Sequence, residues 1–219
     1  MEKKIEVSAI DPCVLEIYNT FRGYEGSEQI GNLIALQALF EITKSSLPKR
    51  ILEVGGGIGT LSYLMLKESG AHIDIFEDHP FCIDALGKNL KEFKERFTIL
   101  TCYEKYSLST KTYDLVIIDG GTPEFAGKIL GELDDIKEVF VEGKRWQYRK
   151  AARKTLSKKY VYDRIAYVDP AKKYKGAYEI VCTPNKNFLS RKIQYLFVEI
   201  IYWIKAKTWE ILHRQGFLL

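Results

Sequence analysis

The spacing of apolar and polar positions changes period repeatedly along this chain of 219 residues. In residues 28–44, EQIGNLIALQALFEITK, the apolar side chains Ile30, Leu33, Ile34, Leu36, Leu39, Phe40 and Ile42 fall at helical spacing, which predicts a helix. RILEV follows as a short buried strand, IGTLSYLMLKES as a helix that Gly70 can end, and HIDIFE as a second strand. A helix from about Pro80 to Glu95 leads to FTIL, then to the strongly apolar YDLVIIDGG, a short helix in EFAGKILGEL, and a fifth strand in IKEVFVEG. A basic helix over 145–157 and two closing strands, YVYDRIAYVD and GAYEIVCT, complete the pattern. Strands alternating with helices imply right-handed crossovers and a mostly parallel sheet covered on both faces. The expected fold is therefore a doubly wound α/β domain.

Composition narrows the class without changing that picture. With 46% hydrophobic and 28% charged residues, the chain is neither disordered nor fibrous, and its length supports one sizeable core. Cys13, Cys82, Cys102 and Cys182 are scattered, with no CxxC pair or histidine cluster, so neither a zinc site nor a disulfide framework is expected. The N-terminal stretch MEKKIEVSAIDPCVLEIYNTF lacks an apolar h-region, and the expected compartment is cytoplasmic.

Charge is divided unevenly. Residues 1–142 carry 15 basic and 24 acidic side chains, whereas residues 143–219 carry 18 and 5. Within 144–175 there are 12 basic residues and only Asp163 and Asp169 as acids. Such a tract suits an anionic partner, whether a phosphorylated small molecule, nucleic acid or a membrane surface; solvated faces of a helix and a strand edge are the plain alternative.

Four glycines crowd into ILEVGGGIGT, residues 51–60, at the turn from the first buried strand into its helix. Open parallel sheets bind ligands there, outside the carboxyl ends of their strands, and the following helix presents free N–H groups. Glu77, in IFEDHP, lies 22 residues after Gly55, the spacing at which a carboxylate recognises a ribose in nucleotide-binding βαβ units. The alternative is a tight turn with no ligand. The dinucleotide fingerprint GxGxxG fails, because its third glycine position falls on Thr60 or Ser62. The glycines alternate instead, as Glu53-x-Gly55-x-Gly57-x-Gly59.

That pattern resembles motif I of the class I S-adenosylmethionine-dependent methyltransferases. The resemblance extends over roughly residues 20–183, and the small-molecule O-methyltransferases are its closest form: GYEGSEQIGNLIALQAL, ILEVGGGIG and YDLVIIDGG match their lead-in, glycine segment and fourth strand. It implies a seven-stranded, mostly parallel sheet with helices on both faces, preceded by an N-terminal helix. It also implies S-adenosylmethionine as cofactor, with Gly55, Gly57 and Gly59 beneath its methionine and ribose parts, Glu53 fixing the loop and the amino group, and Glu77 on the ribose diol. Asp78 contacts the ribose or caps the helix that starts at Pro80. Cys102 and Tyr103 fall beside the adenine, although Cys102 also suits a small buried filler. Asp119 falls near the transferring methyl, and Ser27, with Tyr24 and Glu25, closes over the carboxylate end.

Methyl transfer from a sulfonium is an in-line displacement in which the protein aligns the acceptor and removes its proton. Asp119 and Glu142, at the carboxyl ends of adjacent strands, are the candidate bases; loop capping is their structural alternative, and His79 is a third candidate. Metal-dependent relatives need adjacent ligands after the fifth strand, but here Glu142 is followed by Gly143, so no metal is expected. Arg145 and Arg149, one helical turn apart, are candidates for holding a phosphate or carboxylate of the acceptor. The expected function is O-methylation of a small, anionic acceptor without a metal ion. The alternatives are an RNA methyltransferase, for which no N-P-P-Y tetrad or separate RNA-binding module is present, and a non-catalytic cofactor- or partner-binding protein.

The last 36 residues, 184–219, lie outside this pattern and divide the chain into a domain over 1–183 and a C-terminal extension. One long helix is expected from about Phe188 to His213. Its apolar stretch, Tyr195 to Ile204, contains Glu199 and is too short to span a bilayer. Its basic flanks, Arg191, Lys192, Lys205, Lys207 and Arg214, and the aromatics Tyr202, Trp203 and Trp209 suit either oligomerisation and packing on the domain or a peripheral position at a membrane.

Overall fold

The computed structural model describes residues 2–6, 9–103, 106, 108, 112–170 and 174–214. Its strands are β1 (Glu2–Lys4), β2 (Arg50–Val54), β3 (His72–Phe76), β4 (Phe97–Leu100), β5 (Tyr113–Ile118), β6 (Ile136–Glu142), β7 (Tyr160–Asp169) and β8 (Tyr174–Pro184). The helices are α1 (Pro12–Arg22), α2 (Leu33–Ser46), α3 (Thr60–Glu68), α4 (Pro80–Asn89), α5 (Pro123–Glu132), α6 (Trp146–Leu156) and α7 (Phe188–Arg214). All eight strands form one sheet in the order β1-β7-β8-β6-β5-β2-β3-β4, with only β8 antiparallel to its neighbours. This is the doubly wound, Rossmann-like architecture expected from the alternation of elements, with the reversed strand near one edge.

The central strands are apolar on both sides, so each face can take a helical layer. Ile51, Ile73, Ile75, Leu115, Ile117 and Phe140 pack with residues of α1–α4. Leu52, Val54, Val116, Ile118, Val139 and Val141 pack with residues of α5 and α6. Neighbouring positions on a strand point to opposite faces, which is why one run such as ILEV feeds both cores.

Three boundaries differ from the sequence reading. Strand β1 is an eighth strand, pairing in parallel with β7 from Glu2↔Ala166 to Lys4↔Val168; three charged residues give no alternation to read. Helix α2 starts at Leu33 because the Asn32 side chain caps it, accepting from the Ala35 amide at 2.9 Å, and a 3-10 turn at Ser27–Gln29 precedes it. Helix α4 stops at Asn89, and a second 3-10 turn, Lys91–Phe93, takes the place of its expected last turn.

Helix α7 runs along β7. Gln194 brackets the Tyr162 backbone, accepting from its N–H at 3.0 Å and donating to its carbonyl at 2.8 Å. Glu199 pairs with Arg153 of α6 at 2.8 Å, and the Tyr202 and Tyr178 hydroxyls lie 3.2 Å apart. None of the helices among the described residues is long and apolar enough to cross a membrane.

Candidate active site

The ends of β2 and β5 are drawn together by one carbonyl: Val54 O accepts from the amides of Asp119 at 2.9 Å and Gly120 at 2.7 Å. Gly55 and Gly120 are therefore in backbone contact. A Cβ on Gly55, whose φ is +87°, would lie 2.4 Å from the Gly120 Cα, so glycine is required there by the chain itself rather than by a ligand. Gly57 is different. It has φ +51°, nothing lies within 4 Å of the place a Cβ would take, and it borders a large cavity. Gly59, the left-handed N-cap of α3, sits behind the loop against Leu86 and does not line that cavity.

The cavity has a volume of about 1010 Å³ and opens at the carboxyl ends of β2, β3, β4 and β5. Its size is at the upper end of the range for small-molecule sites. Glu77 stands on its wall as a fixed acceptor. Its Oε2 accepts from the Gly57 amide at 2.8 Å, and its Oε1 from the amides of Asp78 and His79 at 3.0 Å each. A carboxylate offers about four lone-pair sites, and with three amides bound about one remains for a ligand hydroxyl. Asp78 lines the cavity and is exposed; it does not cap α4, whose N-cap is His79 and whose first turn has no side-chain cap. Cys102 and Tyr103 line the same wall. Tyr103 belongs to an aromatic group, 5.7 Å from Phe76 and 5.2 Å from Phe125 between ring centroids, with the Lys128 ammonium 4.2 Å from its own centroid.

Below the loop, Glu53 is fully buried and hydrogen-bonded to the Ser62 hydroxyl. Its other oxygen, Oε1, has no hydrogen-bond partner among the described residues. Burial pushes its pKa up to about 8, opposed by the Ser62 hydrogen bond and reinforced by the charge of Glu77. It does not itself line the cavity.

At the other end of the cavity Asp119 and Glu142 come together as expected of adjacent strands, within side-chain hydrogen-bonding reach of each other, and Arg145 contacts both. Arg145 Nη2 donates to Asp119 Oδ1 at 3.1 Å, and its Nε is 3.5 Å from Glu142 Oε2. Burial raises the Asp119 pKa well above the ordinary carboxylate range, the Glu142 charge raises it further, and the Arg145 guanidinium opposes both. Asp119 and Arg145 line the cavity, whereas Glu142 does not. The Glu142 carboxylate is held by the side-chain amide of Asn32 and by the Asn32 backbone N–H at 3.3 Å, tying the end of β6 to the start of α2.

Three further sequence candidates fall elsewhere. Arg149 is buried: its guanidinium donates to the Gly143 carbonyl and stacks 5.0 Å from the Tyr178 ring centroid, so it is not on the cavity wall. Tyr24 borders a second cavity of about 490 Å³, between α1 and the ends of α3 and α4. Ser27 sits in the 3-10 turn, and its neighbours Gly26 and Glu28, not its own side chain, reach the main cavity. Sequence reasoning also passed over Ile58, Phe81, Thr101 and Phe125 on the cavity wall. Phe81 and Phe125 each follow a proline that opens a helix at a strand end, and that placement is the signal that could have found them.

The sheet order, the antiparallel β8 and the site at the β2 loop define the class I S-adenosylmethionine-dependent methyltransferase fold. Solved structures agree. A methyltransferase of Podospora anserina, solved with S-adenosylhomocysteine bound, is 17% identical, with 80% of this chain and 89% of that one covered at a TM-score of 0.56. An O-methyltransferase of Bacillus cereus, also with S-adenosylhomocysteine, is 14% identical over 79% of this chain and 91% of that one at 0.59. An O-methyltransferase of Streptomyces achromogenes in complex with S-adenosylmethionine is 14% identical over 79% and 90% at 0.58. At these identities the likeness is one of fold. No family model matches the chain. Among curated proteins, "Probable polyketide synthase 27" of Dictyostelium discoideum is 30% identical over 105 residues, which is 46% of this chain but only 4% of that protein's length.

Proposed function

We propose that the protein is an S-adenosylmethionine-dependent methyltransferase that methylates a hydroxyl of a small molecule. The observation that carries the reading is the Gly57–Glu77 cradle. Gly57 leaves open the space a side chain would fill, and a carboxylate pinned by backbone amides stands beside it on the cavity wall. In that cradle Glu77 would accept from the ribose hydroxyls, with Asp78 next to it. Tyr103, Cys102, Phe76 and Phe125 would flank the adenine, and Gly55 and Gly57 would underlie the ribose and methionine parts. Glu53, beneath the loop, would hold the loop's shape through Ser62. The cofactor supplies an electrophilic methyl carried on a sulfonium.

The chain's own contribution to the chemistry is then to orient the acceptor and take up its proton. Asp119 is the group suited to this: it lines the cavity, and its raised pKa brings a carboxylate toward the strength that a general base needs near neutral pH. Arg145 holds the Asp119 carboxylate in place and limits the rise in its pKa. Glu142 contributes as the second anchor of Arg145 and as the neighbour that raises the Asp119 pKa, since it does not itself line the cavity and its Oε1 is held by Asn32.

Metal independence is part of the proposal. A guanidinium contacts both carboxylates at the ends of β5 and β6 and supplies there the positive charge that a divalent cation would otherwise bring. A phosphate or carboxylate on the acceptor would meet Arg145, which lines the cavity while pairing with Asp119 and Glu142, and not Arg149, which is buried against Gly143 and Tyr178. The acceptor would present its hydroxyl to Asp119, with Arg145 the arginine at hand for an anionic group. An RNA substrate is also less well supported, since Arg149 and Arg153 of the basic tract are buried in the domain. Calorimetry with S-adenosylmethionine and with NAD tests the reading. Binding of the first alone is expected; binding of NAD in its place would overturn it.

A further inference from the structure

Helix α7 is amphipathic in the inverse sense. The side turned to the domain is largely polar and aromatic around one buried valine: Gln194 and Tyr202, four positions either side of the buried Val198, bond to β7 and β8, and Glu199 to Arg153 of α6. The opposite side carries Leu189, Ile193, Leu196, Ile200, Trp203 and Ile204, which are 48–64% exposed. At 100° per residue these six fall within an arc of about 100°, directly away from the Val198 position, and run for roughly 22 Å along the helix axis. An apolar stripe of this extent facing water marks an interaction surface.

Charge indicates what covers it. The α7 sequence has five basic residues, Arg191, Lys192, Lys205, Lys207 and Arg214, against Glu199 and Glu210, and Glu199 is committed to Arg153. Beside α7 on the same side of the sheet, α6 and the turn after it expose Lys150, Lys154 and Lys158. In a two-fold dimer made through the stripe, the basic excess of α7 and the α6 lysines would face a second copy of the same net positive charge, which opposes association. An anionic bilayer meets both features at once, because its acyl boundary takes the apolar stripe and its headgroups the lysines. We propose that α7 seats the protein on an anionic lipid surface, with the helix lying in the interface and its Gln194–Tyr202 side still on the domain.

The test uses the full chain and vesicles of phosphatidylcholine with and without phosphatidylglycerol, read by co-sedimentation and by tryptophan emission. Association with the phosphatidylglycerol vesicles, a blue shift in emission and weakening at high salt are the expected results. Ile200→Glu and Trp203→Glu should each lower partitioning by about tenfold or more, and Lys150→Glu combined with Lys154→Glu should lower it on anionic vesicles. All these side chains are exposed, so each variant should keep the wild-type circular dichroism and melting temperature, which separates lost docking from lost folding. The proposal is overturned if the wild-type chain ignores anionic vesicles or if the glutamate variants bind as the wild type does. It is equally overturned if light scattering shows a dimer without lipid that Ile200→Glu dissociates.

Discussion

The backbone amide of Gly57 donates to Glu77 Oε2 at 2.8 Å, joining the loop after β2 to the end of β3. The bond fixes the carboxylate at the one glycine of the loop whose missing side chain opens on the cavity.

Glu77→Ala removes both the acceptor for a ribose diol and the partner of Gly57. Affinity for S-adenosylmethionine should fall by about 1–3 kcal/mol, measured by calorimetry. Asp78 is exposed beside it and accepts nothing from the loop, so Asp78→Ala should change affinity far less. The reverse ranking would assign the diol to Asp78.

That pair shows why part of the site was legible in the sequence. The Gly55-to-Glu77 spacing reflects one βαβ unit, whose length is set by a strand, a helix and two turns, so local order carries over to space. The central strands were legible for a similar reason, since burial on both faces leaves continuous apolar runs such as YDLVII. The Arg145 contacts were not. They depend on β5 and β6 being neighbours and on the start of α6 folding back, which no local pattern encodes. Glu142 is held by Asn32, 110 positions away, and sequence reasoning gave it a catalytic part because strand-end position alone does not reveal which way a side chain is engaged. Strand β1, three charged residues whose pairing is decided by the edge of β7, has no apolar period to find.

The glycines of the loop should separate by what they face. Gly55→Ala forces a Cβ to 2.4 Å from the Gly120 Cα at φ +87°, so stability in urea should drop by about 3 kcal/mol or more. Gly57→Leu meets no atom within 4 Å and bears only the left-handed backbone cost of roughly 1–2 kcal/mol. It should fold and yet lose cofactor binding. If Gly57→Leu bound S-adenosylmethionine normally, the cofactor would not lie over the loop.

Glu53 makes stability depend on pH. Its folded pKa is raised from 4.5 to about 8, so between these values the native state holds a proton that the unfolded chain has released. The contribution is full below about pH 4.5 and is lost as pH rises through 8, on the order of 4 kcal/mol for a group this buried. Chemical denaturation at pH 5.5 and 8.5 should show the loss in the wild type and a much flatter profile in Glu53→Gln. Equal slopes in the two proteins would place the titration in another group.

Asp119 and Arg145 carry the last prediction, which concerns activity. Asp119→Asn should lower kcat by about 10²- to 10⁴-fold with cofactor affinity retained, because the proton acceptor is lost while the loop is untouched. Arg145 lowers the Asp119 pKa, and Glu142 raises it, so Arg145→Ala removes the charge that opposes Glu142 and should move the acidic limb of kcat/KM to higher pH. Turnover of the wild type should survive EDTA, since the positive charge beside the carboxylates comes from the chain. An unshifted limb with a raised KM for the acceptor would instead put the guanidinium on the substrate, and activity restored only by a divalent cation would mean that the pair binds metal in the working enzyme.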